Sequence, residues 1–312
     1  MKGHVKLDGI HHITAITGDA PANVEFYAGV LGLRLVKKTV NQDDPTVYHL
    51  FYADEKGSPG ADLTFFEYPH AARGVPGAGM VHRIVWRVAA PAALDFWEQR
   101  LSAHGTASRR EGEGLRFSDP EGLDHELAID DSADAPLIAD TPGVPAEHAL
   151  RGFAGVHAYA QDPATSEALL AQTLGFEHDG EDRWLIEGEN RHGFYRYDAP
   201  PAEHPRQGAG SVHHIAFAST MDDHEAWRQR VAAAGQRPTP VIDRFYFRSI
   251  YFREPSGVLF EIATIGPGFS SDEDAAHLGE RLSLPPSFEP LRSRLEQTLT
   301  SLPNPRAVPT GS

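Results

Sequence analysis

Residues 9–17 read GIHHITAIT and residues 211–219 read SVHHIAFAS; residues 80–88, MVHRIVWRV, and 155–162, GVHAYAQD, follow the same pattern. Each segment is apolar, rich in β-branched residues and bounded by Gly, Pro or Asp, which suits a β-strand. Each carries an early histidine, His11, His82, His157 and His213, at spacings of 71, 75 and 56 residues. Such a quasi-period points to repeated supersecondary units.

A helix signal follows each strand. In the first unit Asp19 can cap, Pro21 suits the first turn, and Val24, Tyr27, Ala28 and Leu31 share one face. Gly32 then suits a left-handed terminus. The other units carry Leu94, Trp97 and Leu101 before Gly105, Leu169, Leu170 and Leu174 before Gly175, and Trp227 and Val231 before Gly235. From the early His to that Gly the distances are 21, 23, 18 and 22 residues.

Strand-like runs complete the units. In the first they cover residues 34–40, 46–52 and 63–68, and in the fourth 237–241, 246–253 and 258–265. Two units close on matching phrases, LRFSDPEGLDHELAI and YFREPSGVLFEIATI, each with a Glu six residues after Pro: Glu126 and Glu261. Thr64 stands near that place in the first unit. The fold expected is α+β, four βαβββ units forming two curved-sheet half-barrels, because one unit of this size leaves a sheet face bare. Residues 8–131 hold the first two units and 152–266 the last two. The Pro- and Ala-rich stretch 132–149 links them, and 267–312 forms an extension with a helix over 289–302.

Composition narrows the chemistry. The 312 residues contain no Cys and 17 His, so a metal here sits on imidazole and carboxylate rather than thiolate. A net charge of -16 argues against nucleic acid and anionic membrane surfaces as partners. No apolar run is long enough for a transmembrane helix. The first residues lack the apolar core of a signal peptide, so a cytoplasmic address is expected. A homo-oligomer is compatible with all of this.

Comparing the units separates ligand from scaffold. The early His recurs in all four, so it suits the sheet. The next position holds His12, Arg83, Ala158 and His214, and the late-strand position Thr64, Glu126, no clear match and Glu261. One combination yields two second-position His and a carboxylate: His12, His214 and Glu261. Two imidazoles and one carboxylate suit non-haem Fe(2+) with open coordination positions. This requires the first and fourth units to be spatial partners, and the second and third to pair with decayed ligands. Strand alternation sends adjacent residues to opposite faces, so both His of a pair cannot ligate unless the strand is distorted. Periodicity alone does not say which one faces the metal; the comparison of units favours the second.

The repeat, the His, His, Glu set and the ordered phrases GIHHITAIT, LVKKTVNQDDPTVYHLFYADEKGSPGADLTFF, EHALRGFAGVHAY, SVHHIAFA, YFRSIYFREPSGVLFEIAT and GFSSDEDAAHLGERLSLPP resemble the vicinal oxygen chelate superfamily, the glyoxalase and extradiol dioxygenase group. Within it the chain is similar to the hydroquinone ring-cleaving, MhqO-like dioxygenases over residues 9 to 287. The resemblance implies an Fe(2+) enzyme that opens a hydroquinone or catechol-like ring with O2, in aromatic degradation or quinone detoxification. It implies His12, His214 and Glu261 as iron ligands and supporting roles for His11, His213, Arg244 and Tyr251. Read alone, Arg244 can hold a quinol oxygen or form a surface ion pair. Tyr251 can donate a hydrogen bond or pack in the core, and His213 can shuttle a proton. Phe245, Tyr246 and Phe247 can wall an aromatic pocket or fill plain core. No Gly-rich dinucleotide phrase follows a strand. Two other readings compete. A non-redox glyoxalase-type isomerase or lyase on this fold needs a second carboxylate, where Thr64 stands. A metal-free ligand-sequestering protein would leave ligand binding unchanged in His12→Ala and His214→Ala.

Overall fold

Among the residues described by the computed structural model, 5–180, 182–304 and 306, sixteen strands form two eight-stranded sheets. The last six residues of the expected extension lie outside the described residues. The first unit supplies β1 (Ile10–Thr17), β2 (Arg34–Val40), β3 (Tyr48–Ala53) and β4 (Asp62–Glu67). The second supplies β5 (Met80–Val88), β6 (Ser108–Glu111), β7 (Gly114–Ser118) and β8 (Asp124–Ile129). The third supplies β9 (Phe153–Tyr159), β10 (Glu177–His178), β11 (Arg183–Glu187) and β12 (His192–Asp198). The fourth supplies β13 (Ser211–Ser219), β14 (Ile242–Asp243), β15 (Arg248–Arg253) and β16 (Leu259–Thr264).

The first sheet runs β14-β15-β16-β13-β1-β4-β3-β2 and the second β10-β11-β12-β9-β5-β8-β7-β6. Unit one therefore shares a sheet with unit four, and unit two with unit three. Each sheet is joined at an antiparallel seam, β1 with β13 and β5 with β9. Alternate side chains of both sheets, such as Ile13, Phe65, Ile215, Ile262, Ile84 and Val156, are fully buried in one apolar core with Tyr27, Trp97, Leu170 and Trp227 from the connecting segments. The opposite face of the first sheet carries His12 and Thr14, two residues apart on β1 as a pleated strand demands, with Thr64 on β4, His214 on β13 and Glu261 on β16.

The helix signals hold locally. The Asp19 side chain accepts from the Ala22 amide at the start of α1 (Ala20–Val24), which widens into a π-type turn over Glu25–Val30. α2 covers Pro91–Ala103 and α3 covers His224–Ala233; the third unit has only a 3-10 turn and a π-type turn, Leu169–Leu174. Gly32, Gly105, Gly175 and Gly235 all take the left-handed conformation, with φ from 71° to 83°.

Three expectations require correction. Residues 237–241 form no strand, and β14 shrinks to two residues: Pro238 and Pro240 lack the amide donors a ladder needs. Residues 246–247 also stay out of β15, because the chain reverses there through Phe245 at φ 70°. The helix expected over 289–302 is a 3-10 turn, Glu289–Leu291, followed by α4 (Arg292–Thr298). Leu299 is already extended, and Pro303 biases the residue before it away from helix.

The register also realigns the third unit. In β1 the pairing with β13 skips His11 on one strand and His213 on the other; in the second seam it skips His82 and Ala154. The counterpart of His213 is thus Ala154, not His157, and the counterpart of His214 is Gly155. From Ala154 to Gly175 is 21 residues, which removes the short spacing of that unit. The late-strand positions pair with the residue two beyond each second position: Thr64 with Thr14, Glu126 with Val85, Glu261 with Ala216, and Arg196 with His157.

Candidate metal centre

His12, His214 and Glu261 come from three adjacent strands, β1, β13 and β16, and all three are buried. His12 Nε2 lies 3.2 Å from Glu261 Oε2, His214 Nε2 lies 2.9 Å from the same oxygen, and the two Nε2 atoms are 3.3 Å apart. The imidazole rings meet edge to face, 5.4 Å between centroids at 80°. Burial pushes the Glu261 carboxyl up, but the neighbouring His12 and His214 outweigh it and hold it well below the usual carboxylate range.

His11 and His213 occupy the two β-bulges. A bulge turns one side chain away from strict alternation, and it is common beside functional sites. Here it lets adjacent His touch: His11 Nδ1 lies 2.9 Å from His12 Nδ1, and His213 Nδ1 lies 2.8 Å from His214 Nδ1. The proton positions follow in the first pair. Burial holds His11 down to about 3, so its ring is neutral at pH 7. Its Nε2–H donates to the Thr264 carbonyl at 3.2 Å, which leaves its Nδ1 bare. That nitrogen accepts from His12 Nδ1–H, and the neutral tautomer with that proton has its lone pair on Nε2, the nitrogen facing Glu261. Burial and the nearby His214 hold His213 down to about 4.

The result is a buried cluster whose polar atoms converge. Neither oxygen of Glu261 finds a hydrogen-bond partner although both are buried. A buried carboxylate left in this state is costly. A divalent cation among the three atoms removes the cost, because separations near 3 Å are those between ligands sharing one small ion. The residues fit a metal.

The mouth is built by units one and four together. An empty volume of about 430 Å3 is lined by the two second-position His, by Thr14, His49, Phe51 and Phe66 from the first unit, and by Arg244, Tyr246, Phe247 and Tyr251 from the fourth. Arg244 donates to both Asp43 carboxylate oxygens, at 3.1 and 2.9 Å, and its guanidinium lies 5.6 Å from the Tyr251 ring centre. Tyr251 packs edge-on to His214, 5.6 Å away, and burial first and Glu261 second push its hydroxyl pKa up. Of the three aromatics in the turn, Tyr246 and Phe247 line the cavity, and Phe245 does not.

Comparison with known proteins now adds to this geometry. The model of the Glyoxalase/Bleomycin resistance protein/Dioxygenase superfamily matches residues 9–127 and 152–262. The chain belongs to this superfamily. It is 40% identical over 311 residues to "Putative ring-cleaving dioxygenase MhqO" of Bacillus subtilis, covering 94% of this chain and 96% of that protein. It is 33% identical over 323 residues to the "Chlorohydroquinone/hydroquinone 1,2-dioxygenase" of Sphingobium indicum, covering 94% and 96%. A crystal structure of a "putative dioxygenase" from Bacillus subtilis matches with a TM-score of 0.90 at 38% identity, covering 98% of this chain and 100% of that one. The chain is an oxygen-incorporating oxidoreductase of the superfamily's dioxygenase branch, and that branch implies a metal cofactor. No helix among the described residues is long and apolar enough to cross a membrane.

The superfamily scaffold also brings in residues that the motifs did not flag. His49 lies on β3 facing the cavity, with Nε2 2.9 Å from Thr64 Oγ1, and Thr64 in turn meets Thr14 Oγ1 at 2.8 Å. Burial first, then His12 and His214, hold His49 well below its ordinary pKa. The alternation of YHLFYA contained the signal: Tyr48, Leu50 and Tyr52 enter the apolar core, so His49 and Phe51 must face the other side. Thr64 is no vestigial ligand; its hydroxyl joins this hydrogen-bonded chain.

Proposed function

We propose that the chain is an Fe(2+)-dependent dioxygenase that opens the ring of a hydroquinone or catechol-like substrate, with His12, His214 and Glu261 as the metal ligands. The observation that carries this reading is the convergence of two imidazole nitrogens and one unpartnered carboxylate within 3.3 Å of one another. Two neutral imidazoles and one carboxylate are the donor set of non-haem Fe(2+) sites with open positions. Iron in such a site supplies the redox and O2 chemistry that no side chain can. The printed name of the Sphingobium relative supports a hydroquinone as the ring.

The chain's own residues do the rest. His11 and His213 fix their neighbours' ring orientation and proton positions. Phe51, Phe66 and Phe247 give a flat ring apolar walls on the open side of the ligands. Arg244, held by Asp43, presents a fixed cation at the mouth toward a phenolate oxygen. Tyr251 keeps its proton at neutral pH, so it donates a hydrogen bond to an oxygen at the site. His213, neutral and only partly buried beside the buried His214, is the group through which a proton leaves or enters. A glyoxalase-type isomerase is disfavoured, because the place of a second carboxylate holds Thr64, already bonded to Thr14 and His49.

The test is oxygen-electrode turnover of a panel of hydroquinones and catechols by anaerobically Fe(2+)-loaded protein, with product mass. Oxygen uptake matched to ring-opened product is expected. Absence of uptake with every ring, or turnover undiminished without oxygen, overturns the proposal.

A further inference from the structure

The second sheet carries a cluster of its own, separate from the cavity described above. His82, His157 and Asp198 come together from β5, β9 and β12, again three adjacent strands. Asp198 Oδ2 lies 2.9 Å from His82 Nε2 and 2.8 Å from His157 Nδ1. The two rings are 6.0 Å apart at 72°, close to the 5.4 Å and 80° of His12 and His214. His82 sits at the β5 bulge, the same place His11 takes in β1. The cluster therefore does not repeat the first centre position for position; it is assembled from a bulge residue and one step further along the seam.

Three features favour an ion here. The ligand atoms converge on one carboxylate oxygen, whereas Arg196 Nε approaches the other, Oδ1, at 3.6 Å. That division turns Oδ2 toward the two imidazoles alone and orients the carboxylate from outside. The His82 ring is stacked on Tyr159 at 3.7 Å and 7°, and His157 stands edge-on to Phe194 at 5.7 Å, so both rings are held in place. Finally, the His side chains are buried while Asp198 is 28% exposed, which leaves an entry path and room for a water ligand.

We infer that His82, His157 and Asp198 form a second, non-redox site for a divalent cation of the zinc class. Three N/O donors plus one water complete the four-coordinate shell that Zn(2+) prefers. For such donors Zn(2+) binds more tightly than Fe(2+), so the two centres differ in the metal they retain. The ion ties β5, β9 and β12 together across the seam between units two and three. Its role is to brace the half of the molecule that lacks the first centre.

Metal stoichiometry after loading with Zn(2+) alone and removal of loose metal tests the assignment, read on wild type, Glu261→Gln, Asp198→Asn and the double variant. Circular dichroism confirms the fold of each, and His157→Gln stands in if Asp198→Asn does not fold. Wild type should hold two equivalents, each single variant one, and the double variant none. Zn(2+) should also raise the Tm of Glu261→Gln and leave that of the double variant unmoved. Equal stoichiometry in wild type and Asp198→Asn, or one equivalent in wild type that only Glu261→Gln removes, overturns the second site. One equivalent that only Asp198→Asn removes supports it and counts instead against the first centre.

Discussion

The two sheets are built alike, yet at matched positions they hold opposite chemistry. The second positions are His12 and His214 in the first sheet, Arg83 and Gly155 in the second; the late-strand positions are Thr64 and Glu261 against Glu126 and Arg196. In the first sheet the carboxylate meets two imidazoles, and neither of its oxygens has a hydrogen-bond partner. In the second, Glu126 meets Arg116 at 3.0 Å and Arg83 at 3.4 Å, so its charge is already neutralised. A carboxylate on this strand is therefore not a ligand by position; the side chains around it decide. Gly155 adds a steric reason. A Cβ there would stand 2.5 Å from the Phe194 ring and from its carbonyl oxygen, so no His fits at that position.

Glu261→Gln breaks the comparison most severely. It leaves two imidazoles and no anion, so metal content should fall by one equivalent and oxygen uptake to background, while the matching Glu126→Gln should leave both unchanged. Metal analysis and an oxygen electrode on the same samples check this. His11→Ala should come next. It removes the acceptor for His12 Nδ1–H, and changes to such supporting groups lower metal affinity about 10- to 100-fold; competition with a chelator measures it.

Gly155→Ala sharpens the steric half of the argument. Overpacking against Phe194 should lower stability by about 1–3 kcal/mol, read from urea denaturation. A last contrast concerns the residue before each carboxylate, Phe260 in the first sheet and His125 in the second. Trp86 donates to His125 Nδ1 at 3.1 Å, and burial holds the ring down to about 3. The unfolded chain protonates this His near 6.5, so between those values it binds more protons than the fold does. The stabilisation is complete above pH 6.5 and is lost as pH falls toward 3, at ~1.4 kcal/mol per pH unit. Urea melts from pH 7 to 4 should show a slope flatter by that amount in His125→Phe.

Much of this was legible in the sequence. The doubled His–His–Ile phrase, the four terminating glycines and the Pro-to-Glu spacing define the repeat, and the pairing of unit one with unit four follows from where the second-position His stand. Three things were not legible. The bulges that bring His11 against His12 are a property of strand pairing, and no local composition marks them. His157 passed for the partner of His213 because Val and His precede an apolar run in both; only the register shows that Ala154 takes that place. His49 and Asp198 lie in strands whose composition is ordinary, and a role emerges only when neighbouring strands bring Thr64 or His82 to them.

The most direct measurement is turnover of a hydroquinone by Fe(2+)-loaded protein under isotopically labelled dioxygen, with mass spectrometry of the ring-opened product. Both atoms of one dioxygen molecule should enter the product in wild type and in Asp198→Asn, and no product should form in Glu261→Gln. Product without label, or labelled product from Glu261→Gln in equal amount, would contradict the account.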